Sequence, residues 1–521
     1  MFNLNYQRMK KTILTLSVFI MSFGFLVAQT SQVSVSWSDE MKKSRYHDFA
    51  NVLGEDSEGL FIVNENTLSE ISAGENTAII EKYDYKMNQI FSKELIVRFH
   101  DNEAAYYRSM KLGGKFYLFT TFWDKKEKIK YFLANTITDK GELTGEPKVI
   151  FEMAEQGRGA PWIGFSRSFD STKVLLYTDL KEKKDEEESY YFKALDKDLN
   201  MIWENKVSLP YTSKNFEIDM FSIDNNANIN IVGKVKKERG EREKGTPVYF
   251  YTLVSYFYTT KEIKEFKPDL GDSYVSSISI TPDMEGNLIA TGFFSENSEN
   301  SVRGVFYMKI SPSTKTILTQ KSKAFDPEFL SLFFSEKKAE KGGELYNFKI
   351  DHLSVDQDGN TTVAAEQYYV QVYTSTNSSG STSTRYVYNY NHIIVIKFSK
   401  EGEVLWWNKI PKLQRGGNAT YFSYLYAIKN NTVYVMYNEH KKNIENLDPK
   451  KMAYLGNPKD AITVLVSLDK DGKLSKLPMF ESKEDDGTTI FQPTTARYLS
   501  KSEYLVLSIR GKTYKLGKIN F

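Results

Sequence analysis

A plan of strand, tight polar turn and strand recurs along this chain. It limits the folds open to the sequence more than any other feature. Residues 222–233 form one copy, with Asp224, Asn225, Asn226, Ala227 and Asn228 between two apolar runs. Residues 279–290 and 354–363 repeat it. An acid opens each turn, and Gly or Asn near its end tolerates positive φ. A second hairpin follows the first at 191–203, 394–406 and 464–474, and more weakly at 136–143.

Each unit therefore has four strands, A to D. The A strands are expected near Tyr46, Ala105, Trp162, Phe216, Tyr274, Phe348, Tyr421 and Phe491. No helical period separates them, and aromatics make up 14% of the residues, which favours β structure. The pattern predicts an all-β, eight-bladed β-propeller, or seven blades if the first or last unit is incomplete. A pair of β-sandwich domains is the rival arrangement, and the regular repeat over the whole chain decides against it. The last unit has no room for a fourth strand. Residues 33–37 are expected to supply it and so close the ring.

Arg8, Lys10 and Lys11 precede an uncharged apolar stretch over residues 13–28. That is a basic region followed by a run too short for a membrane span, which needs about 20 residues. Residues 1–28 read as a cleaved signal peptide and 29–521 as a single propeller domain, periplasmic or secreted. The formal charge of +2 for the whole chain gives no electrostatic reason to bind nucleic acid. With no cysteine, disulfides, thiolate metal sites and a cysteine nucleophile are excluded.

In a propeller the long B–C connections share one face. They fall at 124–128, 181–189, 236–246, 295–301, 374–385 and 438–460. The last carries apolar residues and Tyr454, and is the first choice for a contact loop. His47, Asp48, Arg167, Asp219, Asp351 and His352 fall on A strands, which line the central channel. Asp219 and Asp351 offer an acid pair there. The Asp-x-Asp-Gly turns resemble calcium loops, but Thr361 and Gln367 occupy the positions that need Gly and Glu. Hairpin geometry accounts for these turns, and neither a metal nor a cofactor is expected.

Residues 195–203 and 398–406 resemble the blades of quinoprotein-type eight-bladed propellers, in which a tryptophan docks on the neighbouring blade. Trp203 and Trp406 match that position. Enzymes of that group commonly carry an adjacent cysteine pair, which is impossible here, so the resemblance implies the non-enzymatic scaffold members. Residues 402–414 are also similar to exported propellers of Gram-negative bacteria with no established activity. The sequence thus predicts a monomeric, non-catalytic exported scaffold, binding a protein or glycan of the cell envelope through the B–C loop face. Candidate binding residues are His47, Arg167, Asp219, Asp351, His352 and Tyr454. The alternatives are a hydrolase or lyase with carboxylates at the channel mouth, and an envelope protein that helps assemble others.

Overall fold

The computed structural model describes residues 33–521 apart from 43–46, 67–75, 158, 181–184, 243–245, 446–450, 482–489 and 501–502. The expected signal segment and its cleavage point lie outside these residues. The described chain is nearly all β, of the β-propeller type. Eight antiparallel sheets follow one another, each a meander of four strands in chain order except the last; in the fifth, Ser301–Val302 intervenes and pairs with Leu345–Tyr346. Their first strands are His47–Glu55, Ala105–Leu112, Gly164–Arg167, Phe216–Ile223, Tyr274–Pro282, Phe348–Val355, Leu425–Lys429 and Ile490–Ser500. Four of the expected starts coincide with these, whereas Trp162 and Tyr421 precede their strands. Tyr421 instead sits in a coil, where its hydroxyl donates to Gly456 O at 2.9 Å.

The turns explain the repeat. Asp224 Oδ1 accepts the backbone N–H groups of Asn226 and Asn228, each at 2.8 Å. Asn228 Nδ2 donates to Asp224 Oδ2. Asp84, Asp196, Asp283 and Asp356 use Asn88, Asn200, Asn287 and Asn360 in the same way. The fourth turn position is left-handed, and Ala227 takes it at φ 63°. These carboxylate oxygens are committed to the turn. In two sheets a third-strand lysine adds an ion pair, Lys309 to Asp283 at 2.8 Å and Lys397 to Asp356 at 3.1 Å.

The middle strands lie between two neighbouring sheets, so they are apolar on both faces. Leu288–Ser295 is buried at every position. Each sheet shares a buried cluster with the next: Phe61 and Leu118 join the first and second, Ala364 and Val435 the sixth and seventh. Leu505 and Leu507 of the eighth sheet share one with Leu60 and Ile62 of the first. Full burial of such a side chain contributes about 1.5–3 kcal/mol. Ser34–Trp37 pairs antiparallel with Thr513–Asn520 as the outer strand of the eighth sheet. Trp203 Nε1 donates to Ala227 O at 2.9 Å, and Trp406 Nε1 to Lys470 O at 3.0 Å, each across a sheet boundary.

Short helices depart from the sequence reading. Pro327–Ser331 and Glu336–Glu340 lie between the fifth and sixth sheets, and Lys442–Glu445 in the seventh. They are too short to show a period. Asp326 caps the first by accepting Phe329 N–H at 2.7 Å. No described helix is long and apolar enough to cross a membrane.

Candidate functional site

The inner strands share a kink. The register between the first two strands of the sixth sheet slips between Ile350 and His352, leaving Asp351 as an extra residue. The same slip falls at Asp219 in the fourth sheet, Tyr107 in the second, Ser276 in the fifth and Ala50 in the first. A bulge re-aims the side chain it carries. Two of these positions hold the acids singled out from the sequence.

Asp351 is open to solvent on its strand, and Tyr424 of the next sheet, which is buried, donates to its Oδ2 at 3.1 Å. Surrounding protein, and then the negative charge of Glu366, push the Asp351 carboxyl up to about 7, against the hydrogen bonds from Tyr424 and the Glu366 backbone. The carboxyl holds its proton to a higher pH than an ordinary aspartate. His352 stacks on Tyr426 with ring centroids 4.6 Å apart, and burial pulls it down to about 4, so it is neutral at pH 7.

Glu366 lies on the neighbouring strand and is buried. Lys412 Nζ lies 2.5 Å from its Oε1, and Ser423 Oγ donates to its Oε2 at 2.8 Å. Lys412 also donates to Tyr390 O at 2.9 Å and Gln414 Oε1 at 2.8 Å. Burial pulls the Lys412 ammonium below its usual range, against the charges of Glu366, Glu439 and Asp351. The network fixes a carboxylate beside Asp351 and closes it off from solvent. Asp219 is exposed on its own strand, and its charge helps raise the Tyr251 hydroxyl, after burial.

Arg167 is not part of this cluster. It lines a cavity of about 910 Å³ with Arg108 and Arg497, on the inner strands of the first, second, third and eighth sheets. His47 opens its strand opposite Asn66. Tyr454 is 49% exposed and lies on no inner strand, in the segment before Ala461–Leu468. Glu366, Tyr424, Lys412, Arg108 and Arg497 were not singled out from the sequence. Lys412 alone left a trace there, as a lysine between Pro411 and Leu413 in the stretch after Trp406 and Trp407.

The loop chosen for contact is a structural element. Asn438 belongs to the strand Thr432–His440, is 1% exposed, and donates to Tyr421 O and Phe491 O. Leu455 is fully buried and its backbone bonds to Leu413 and Arg415. Asn443 exchanges two hydrogen bonds with Ala453. Residues 374–385 are largely strand too, the arms reaching Thr376 and Thr382.

No protein-family model matches the sequence. No curated protein sequence matches it either. Among solved structures, the chain is similar to a family 93 α-L-arabinofuranosidase of Fusarium graminearum bound to arabinobiose. That match has 11% identity over 64% of this chain and 92% of the other, with a TM-score of 0.30. Cobalt-substituted ACO, an apocarotenoid oxygenase of Synechocystis, matches at 10% identity over 87% of this chain and 94% of the other, with a TM-score of 0.33. Prolyl oligopeptidase B of Galerina marginata matches at 12% identity and a TM-score of 0.30; 67% of this chain spans only 39% of that protein. Likenesses this loose transfer neither a site nor a substrate. The expectation of a non-catalytic scaffold binding through this loop is corrected, because the loop meant to make the contact is held into the fold.

Proposed function

We propose that the chain is an exported hydrolase of glycosidic bonds, built as a closed ring of eight blades, with its chemistry on the inner strands. The observation that carries the reading is Asp351: open to solvent, hydrogen-bonded by Tyr424, and kept protonated towards neutral pH beside the fixed charge of Glu366. A carboxylic acid so held is a proton donor near its working pH. Cleavage of an acetal needs that proton on the leaving oxygen, and a second carboxylate to take a proton from the attacking water. Asp219 occupies the same bulge position two sheets away and is the partner in this reading. Asp351 gives its proton to the glycosidic oxygen as the C–O bond breaks. Water loses a proton to Asp219 and bonds to the anomeric carbon. Glu366 and Lys412 act as positioning residues.

Several observations support the rest. The core shared by the eighth and first sheets, and the pairing of Ser34–Trp37 with Thr513–Asn520, support closure. The docked Trp203 and Trp406 support the likeness to quinoprotein-type propellers in architecture. The basic and apolar stretch over residues 8–28 supports export to the periplasm or beyond. The test is release of reducing ends from a panel of plant and bacterial polysaccharides by purified residues 29–521, beside Asp351→Asn. Release by the natural chain and none by the variant is expected. Undiminished release by Asp351→Asn rejects the proton donor, and no release from any polysaccharide by either protein rejects the reaction.

A further inference from the structure

The cavity at the inner strands of the first, second, third and eighth sheets has a charge imbalance. Arg108, Lys111, Arg167 and Arg497 line it against two carboxylates, Glu55 and Glu65. Glu65 already accepts a hydrogen bond from Asn76. None of the three arginines makes an ion pair with a described residue.

Two of the guanidinium groups, those of Arg108 and Arg497, lie over aromatic rings. Arg108 lies 4.8 Å from the centroid of Phe165 and 5.5 Å from that of Tyr107. Arg497 lies 5.5 Å from the centroid of Phe49, and its Nη1 donates to Thr494 O and Ala496 O. A ring beneath a guanidinium fixes its plane and leaves N–H edges for an acceptor. Arg167 and Arg108 are exposed on their strands; surrounding protein, and then the charge of Arg108, pull the Arg167 guanidinium below its usual range. Four cationic side chains facing two carboxylates leave an excess of positive charge that an anion in the cavity would answer. At about 910 Å³ the space is in the range of small-molecule pockets.

We propose that this cavity binds an organic ligand bearing two or more oxyanion groups, gripped by Arg108, Arg167 and Arg497. The arginines come from the second, third and eighth sheets, so a single small oxyanion would leave part of the charge unanswered. A planar fork suits carboxylate, sulfate and phosphate alike. The inference stands on its own residues and does not need the acid chemistry at Asp351.

Calorimetric titration of residues 29–521 tests it, with citrate, trigalacturonate and pyrophosphate as probes and maltotriose as the neutral control. The strongest of the three anions identifies the source of the oxyanions. Binding of at least one with Kd below about 1 mM, and none of maltotriose, is expected. Arg167→Gln and Arg108→Gln should each weaken it at least about tenfold. Without ligand, Arg167→Gln should melt at the same temperature as the natural protein or higher, because it relieves repulsion. Failure of all three anions to bind, binding unaltered in both variants, or a lowered melting temperature for Arg167→Gln would each overturn the proposal.

Discussion

Lys412 Nζ lies 2.5 Å from Glu366 Oε1, with the lysine side chain wholly buried. Lysine is the sole partner of that oxygen among the described residues. The pair anchors the residues after the sixth sheet to its second strand. Lys412→Met should therefore leave a buried carboxylate without a counter-charge and cost about 3–5 kcal/mol. The double variant Lys412→Met, Glu366→Gln should recover much of that loss. Urea unfolding of the three proteins measures it, and a cost below about 1 kcal/mol for Lys412→Met would remove the pair from this role.

The sign of the pH dependence at Asp351 follows from its raised pKa. Below the ordinary aspartate range, both folded and unfolded chains hold the proton and the contribution is fully present. As pH climbs from the ordinary value of 3.8 towards about 7, the unfolded chain releases the proton first, and stability is lost over that window. Asp351→Asn cannot ionise. Its melting temperature relative to the natural protein should rise between pH 4 and pH 8, and a constant difference would show that Asp351 titrates normally. Under the proposed chemistry, activity should also decline above about pH 7.

The turns make the repeat legible in the sequence. An acid accepting two backbone N–H groups, with Asn four residues on, is local chemistry, so it is written in adjacent residues. The inner-strand starts at Phe216, Tyr274 and Phe348 follow from it. Asp219 and Asp351 were found because they lie on those strands, but their shared bulge left no mark. A register slip depends on which residue the partner strand places opposite. The arginine cavity was hidden for a similar reason. Arg108, Arg167 and Arg497 are far apart in sequence, and the ring of sheets brings them together. In the loop over residues 438–460 the apolar residues read equally as a contact surface or as an anchor. Leu455, fully buried, shows the anchor.

That distinction sets a paired test. Leu455→Ala empties a closed apolar site beside Phe422 and Tyr421 and should cost about 2–5 kcal/mol. Tyr454→Ala, one residue away and half exposed, should stay within about 0.5 kcal/mol of the natural protein. Denaturant midpoints compare them directly, and similar midpoints for the two variants would mean that the loop is not anchored through Leu455.

Gly472 sits at φ 80°, and a Cβ there would lie 2.8 Å from the Trp406 ring of the preceding sheet. Both the backbone and the docked indole therefore exclude a side chain. Gly472→Ala should cost more than about 1 kcal/mol. Trp406→Leu should relieve the steric part, so the double variant should lose less than the sum of the two single losses. Strict additivity in thermal unfolding would separate the two effects and refute the docking contact as the cause.

The N-terminal strand carries the last prediction. Ser34–Trp37 and Met41–Lys42 both pair with Thr513–Asn520, and Ser38 Oγ accepts Leu516 N–H at 3.0 Å between them. Trp37 meets Phe480 edge-on with centroids 5.5 Å apart, and a Cβ at Gly517 would overlap its ring. Val33 is buried with Ile519 and Phe521. Deleting residues 33–42 would remove these contacts, each apolar side chain being worth about 1.5–3 kcal/mol. It would also leave Thr513–Asn520 with an open edge, a template for pairing with another chain. The deletion should melt at a lower temperature and aggregate in proportion to protein concentration. Trp37→Ala keeps the backbone ladder, so it should melt lower without aggregating. Light scattering during a thermal scan distinguishes the two. If the deletion stays monodisperse and melts with the natural protein, the strand adds nothing to the eighth sheet.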